Sequence, residues 1–162
     1  MDNIQAIRKW SELYKMDVFV PAEGKSVGKI EDFFFHEGSN SIYSLCVRTR
    51  LHGDLSLPVT GIIAVEKERV TIRSAQMLAR AIPPLARGQR LLSRKVIGNK
   101  ANEAGTIKDV LLSVEPPTTM RIVGFEMLRG SSSHRFSSEI VSGYDDEDNS
   151  ILIYEQSAKS LR

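Results

Sequence analysis

Asp32 and Asp109 end two similar stretches, Gly28-Lys29-Ile30-Glu31-Asp32 and Gly105-Thr106-Ile107-Lys108-Asp109. Bringing the stretches together would place two carboxylates side by side for metal binding or acid–base work. A fold requirement accounts for the repetition more simply. An Asp following a glycine-led strand accepts backbone N–H bonds at a turn or bulge, and that need arises once per copy. His36, His52 and His134 are isolated from one another, with no metal-ligand spacing between them. Cys46 lies in the apolar run IYSLCV, where a small thiol packs as an inert hydrophobe. Ser131, Ser132 and Ser133 adjoin His134, but adjacent residues do not reach nucleophile–base geometry, and GSSSHR has loop composition. No G-x-S-x-G, P-loop or G-x-G-x-x-G occurs. The expectation is a non-enzyme with no catalytic residues, no cofactor and no metal site.

The arginines give a stronger signal. No acidic residue occurs between Arg69 and Asn102, a stretch that carries Arg69, Arg73, Arg80, Arg87, Arg90, Arg94, Lys95 and Lys100. Arg87, Arg90 and Arg94 recur every three or four residues and can present guanidinium groups together to phosphate or carboxylate, with Lys95 and Lys100 extending the set. Aromatic residues that would stack on single-stranded bases are absent from this belt, which favours backbone contact over base reading. The opposite pole is Asp145-Asp146-Glu147-Asp148, a charge run in a turn-like context that reads as a solvated loop.

The elements that must carry these groups are short. With 41% apolar and 26% charged residues and a net charge of +2, the 162-residue chain has the composition of a soluble globular protein of one domain or two very small ones. The lone Cys46 excludes an intrachain disulfide scaffold and points to a reducing, cytoplasmic setting. No apolar run approaches a membrane span, and MDNIQAIRKW lacks the apolar region of a secretory signal. Ile4, Ile7, Trp10 and Tyr14 have the spacing of a short amphipathic helix. Runs rich in Val, Ile, Phe and Tyr at 15–20, 29–36, 42–50 and 70–73 then read as strands. Ser74 can cap a connector helix over 74–82, which Pro83 and Pro84 terminate.

After the prolines the pattern starts again. GKIEDFFF aligns with GTIKDVLL without a gap, MDVFV with RKVI, IYSLCV with RIVGFEM, LPVTGII with FSSEIV and RVTIR with SILIYE. In both copies the apolar parity slips next to the Asp, which a β-bulge explains; such a bulge bends a strand and helps a small barrel close, burying Phe34 and Leu111 on the other face. The expected fold is mainly β: two tandem small β-barrels with a short N-terminal helix and a short helical connector. The first unit is expected to span 1–82 and the second, more divergent unit 83–162. Gly28, Asp32, Gly105 and Asp109 form the repeated structural motif.

On these residues the chain resembles the PRC-barrel family. The resemblance rests on Ser11-Glu12-Leu13 leading into a first strand, Gly24, Gly28-Lys29-Ile30-Glu31-Asp32, Leu45-Cys46-Val47 and Leu57-Pro58-Val59 before Ile62. The second copy offers Gly105-Thr106-Ile107-Lys108-Asp109 and Val123-Gly124-Phe125 without a Leu-Pro-x equivalent. The family includes the photosynthetic reaction-centre H subunit barrel and the C-terminal domain of the ribosome maturation factor RimM. The resemblance implies small barrels used as docking or assembly modules, with no shared catalytic residues. The expected partner is another protein or a second copy of the chain. RNA or ribosome contact through the basic belt is the first alternative, and a peripheral photosynthetic or membrane-complex assembly role is the second.

Overall fold

The computed structural model describes residues 6–98 and 102–154. Chain order runs β1 (Ile7–Lys9), α1 (Trp10–Leu13), β2 (Asp17–Val20), β3 (Lys25–Phe35), β4 (Ile42–Thr49), β5 (Gly53–Pro58), β6 (Ile62–Val65) and β7 (Arg69–Ile72). It continues with β8 (Ala86–Arg87), β9 (Lys95–Gly98), β10 (Glu103–Ser113), β11 (Arg121–Arg129), β12 (Ser132–Ser137), β13 (Val141–Asp145) and β14 (Ser150–Ile153). Two seven-stranded sheets result. The path β5-β4-β3-β2-β7-β6 in the first is repeated as β12-β11-β10-β9-β14-β13 in the second. In both, the strand that opens the path and the strand that closes it are joined by a 3-10 turn, Val59–Gly61 in one copy and Ser138–Ile140 in the other. The expected mainly β fold of two barrel-like units is therefore present, each wall left open along that edge.

The bend in each barrel is placed by the repeated motif. Strand pairing shifts register between Ile30 and Asp32 on β3 and between Ile107 and Asp109 on β10, so a bulge sits at the same place in both copies. Both strands are 11 residues long. The slipped parity lets them present apolar side chains to both faces: Phe33, Phe34 and Phe35 are all buried, as are Val110, Leu111 and Leu112.

The seventh strand of each sheet comes from the other unit. β1 pairs antiparallel with β10, with Ile7 opposite Ser113 and Lys9 opposite Leu111. β8 pairs antiparallel with β3, with Arg87 opposite Phe34 and Ala86 opposite Phe35. Because Phe34 and Leu111 are equivalent in the repeat, the two additions are related by the same pseudo-symmetry as the barrels. Each unit thus lends its opening strand to its neighbour. Further backbone bonds close the seam: Ile42 N–H donates to the Met120 carbonyl (3.0 Å) and Ile122 N–H to the Asn40 carbonyl (2.9 Å). Most buried apolar residues of both sheets form one continuous cluster, with Phe34, Cys46, Leu55 and Leu111 outside it. An aromatic row runs through it from Trp10 to Phe33 (5.0 Å between centroids), Phe35 (5.8 Å) and Tyr144 (5.9 Å), crossing from the first unit into the second.

Pairing with strand edges accounts for two helices that differ from expectation. Of the helix expected over 4–14, residues 7–9 are extended and only Trp10–Leu13 is helical; Ile4 lies outside the described residues. An isolated short helix is marginal, and the backbone groups of 7–9 instead find partners on β10. Over 74–82 the expected connector helix is a single 3-10 turn, Ala75–Met77, whose start is capped by Ser74 Oγ accepting from Gln76 N–H (3.1 Å). Beyond it the chain extends. Ala79 and Ser56 exchange two backbone bonds of 2.8 and 2.7 Å, covering the edge of β5.

Candidate docking site at the barrel seam

The two aspartates do not meet. Each instead holds the turn that the other unit lends. Asp109 accepts from Ser11 N–H (3.1 Å) at the start of α1, from the Ser11 hydroxyl, and from Val110 N–H (2.9 Å). At the equivalent place Asp32 accepts from Gln89 N–H and Phe33 N–H, both at 2.8 Å. The amide after the bulge and a free N–H at the start of a helical turn are orphan donors inside the protein, and one buried carboxylate satisfies both. Burial pushes the Asp32 carboxyl above the usual carboxylate value, while the two N–H groups, Arg87 and Arg90 pull the other way. Gly28 and Gly105 serve the same crossing. A Cβ on Gly28 would fall 2.6 Å from the Arg48 carbonyl oxygen, and one on Gly105 2.4 Å from that of Leu128.

Of the basic belt, the segment 86–95 lies along the seam. Arg87, Arg90 and Arg94 line one cleft of about 500 Å³ together with Phe35, Leu92 and Asp146. The three guanidinium groups are differently committed. Arg94 is buried and spent on its own chain: Nη2 donates to Asp146 Oδ1 (2.7 Å), Nε to the Arg90 carbonyl (2.8 Å) and Nη1 to the Ser150 carbonyl (3.4 Å). Arg87 is half-buried, with its guanidinium 5.1 Å over the Phe34 ring and Nη1 4.0 Å from Asp32 Oδ2. Arg90 and Lys95 are exposed and pair with no carboxylate among the described residues. Lys100 lies outside the described residues. The cationic surface at the seam is therefore carried by Arg90 and Lys95, with Arg87 at its edge and Arg94 as the post beneath.

Asp146 is the member that sequence reasoning placed elsewhere. Asp145 closes β13 and 146–148 lie in the exposed turn before β14, where Asp146 leans back onto Arg94. Glu37, after β3, faces the same group. Its carboxyl is pushed up by burial and by the neighbouring Asp146 carboxylate. Within the cleft Arg94 thus already holds a carboxylate of its own chain. Ser11 enters the sequence reading only through the family resemblance and Gln89 not at all, since the role of each depends on a contact to the other repeat that no local pattern records.

The remaining reactive side chains do not converge. His36 lies edge-on to Tyr43, His52 is in the β4–β5 turn and His134 is on β12. Cys46 is buried on β4, and burial, helped by Asp54 and Asp32, pushes its thiol up to about 11. Among the described residues no three His, Cys, Asp or Glu side chains cluster, and no helix is long and apolar enough to cross a membrane.

Residues 7–76 match the model of the PRC-barrel domain, a span that begins with β1 and ends in the 3-10 turn after β7. No curated protein matches the chain.

Proposed function

We propose that the chain, whose residues 7–76 match the PRC-barrel domain, a module suited to protein–protein or assembly roles, is a non-catalytic docking unit. It receives an acidic segment of a protein partner, or of a second copy of itself, on the arginine cleft at the barrel seam. The observation that carries this reading is the convergence of Arg87, Arg90 and Arg94 on one cleft, with the exposed Lys95 following Arg94 in the chain. Guanidinium groups bind carboxylates in a planar, bidentate manner, and a rim of unpaired cations adds on-rate and specificity. The single buried thiol suits a reducing, cytoplasmic setting.

The test is a pull-down with the full chain and with Arg90→Ser/Lys95→Ser, combined with light scattering. A partner retained by the wild type and lost by the variant, or a dimer that the variant dissociates, supports the reading. Retention that the variant leaves unaltered, or a monomer that captures nothing, overturns it.

The acid-free belt favours one second reading, a ribosome- or RNA-associated accessory factor. Phosphate contact releases counterions, so binding would fall steeply with added salt and vanish after nuclease treatment. The membrane-complex reading rests on the family alone, and flotation with anionic vesicles tests it.

A further inference from the structure

We propose that the outer cleft of the first barrel binds a free single-chain anionic amphiphile, a fatty carboxylate in chemical class. The cleft, of about 520 Å³, is bounded by the start of β3, the β4–β5 turn and the segment after β7. Such a volume is within the range of small-molecule sites, roughly 300–1,000 Å³. Its floor is apolar: Leu55 is buried, and Val27 and Leu78 pack against the core. Its rim is cationic. Lys25, Arg50 and Arg80 line it, and no Asp or Glu does. Lys25 reaches Glu23 outside the cleft (3.4 Å), whereas Arg50 and Arg80 pair with no carboxylate among the described residues.

The pseudo-symmetry separates this feature from the requirements of the fold. Ladder pairing makes Val47–Leu55 of the first barrel equivalent to Met127–His134 of the second. The gap-free alignment of β3 with β10 makes Ser26 and Val27 equivalent to Glu103 and Ala104. At the equivalent places the second barrel carries His134 for Leu55 and Glu103 for Ser26, and Glu103 lines the cleft there. An apolar floor under an acid-free cationic rim is therefore a property of the first unit alone. An alkyl chain matches the floor and a carboxylate matches Arg50 and Arg80. The occupant is a free molecule rather than a bilayer, because among the apolar residues lining the cleft only Leu51, 84% exposed, is offered to a flat surface, while Val27, Leu55 and Leu78 are buried or half-buried.

This inference is independent of the seam. It is tested by calorimetric titration of the full chain with sodium dodecanoate below its micellar concentration, with dodecyltrimethylammonium as the matched cation. Saturable one-to-one dodecanoate binding is expected, with the cation at least about tenfold weaker and Arg50→Gln/Arg80→Gln weakening dodecanoate by a similar factor. Both arginines are exposed, so the fold is expected to survive, and circular dichroism checks it. The seam variant Arg90→Ser/Lys95→Ser should bind dodecanoate as the wild type does. Equal affinity for anion and cation, no loss in the arginine variant, or no saturable binding overturns the proposal. So does sedimentation with phosphatidylglycerol vesicles that depends on Leu51 while dodecanoate fails to bind, which would assign the surface to a bilayer.

Discussion

Ser11 and Asp109, 98 residues apart in the sequence, are joined through two groups of Ser11: its backbone N–H donates to Asp109 Oδ1 at 3.1 Å and its hydroxyl to Oδ2. The contact ties the opening turn of the first unit to the bulge of the second. Asp32 and Gln89 repeat it in the opposite direction. The protein is thus a covalent pseudo-dimer whose barrels are completed reciprocally, and its basic cleft lies on the segment that one of these exchanges positions.

Asp109→Ala leaves the Ser11 and Val110 amides without their acceptor and should destabilise the protein by about 2–3 kcal/mol, with Ser11→Ala costing about 1 kcal/mol. A double-mutant cycle by urea denaturation should return a coupling of about 1 kcal/mol. Additive costs would mean that the Ser11 hydroxyl does not interact with Asp109, since the alanine variant keeps the backbone N–H bond.

Gly88 is the counterpart of Trp10, yet a Cβ there would fall 2.0 Å from the Phe33 ring. Phe33 fills the space on one side of the pseudo-symmetry that Trp10 occupies on the other. Gly88→Ala should cost about 2 kcal/mol, and Phe33→Leu in the same chain should recover part of that loss. Equal loss with and without Phe33→Leu would contradict this packing.

Arg94→Ala should destabilise by about 2 kcal/mol, since it strips Asp146 and two carbonyls of a donor. Arg90→Ala and Lys95→Ala should each stay within about 0.5 kcal/mol of wild type by thermal or urea unfolding. The reverse order would show that Arg94 is not the buried post.

How far the sequence carried this picture depends on the range of the interaction involved. The bulges at Asp32 and Asp109 were legible because parity slips locally, and the repeat was legible because both copies kept Gly, Ile and Asp in register. The burial of Phe34 and Leu111 followed from the same slip. The strand exchange was not legible. Ile7–Lys9 and Ala86–Arg87 are two or three residues long, carry charge, and find their partners far along the chain, so residues 7–9 read as part of a helix. Arg87, Arg90 and Arg94, grouped in the sequence by their spacing, line one cleft, but spacing cannot tell an exposed guanidinium from one buried against Asp146. That distinction was decided by the β13–β14 turn, 52 residues further on.

Asp32 gives the protein a signed pH response. Its carboxyl is raised in the native state, chiefly by burial. A native carboxyl that holds its proton more tightly than the unfolded one stabilises the fold below the unfolded pKa, and this contribution is lost as pH rises through the native value. Asn at this position keeps an acceptor for Gln89 and Phe33 but does not titrate. The stability of the wild type relative to Asp32→Asn should therefore fall as pH increases from about 4 upward, read from urea midpoints. A difference that is constant or rises with pH would contradict the assignment.

Native-state hydrogen exchange in the Asp109→Ala variant tests the reciprocal exchange most directly. If the barrels complete each other, the slowest amides of β2 and β7 in the first sheet and of β9 and β14 in the second should lose protection by the same amount, although the substitution lies in the second sheet alone. Loss confined to β9 and β14, with β2 and β7 as protected as in the wild type, would show two barrels that fold apart.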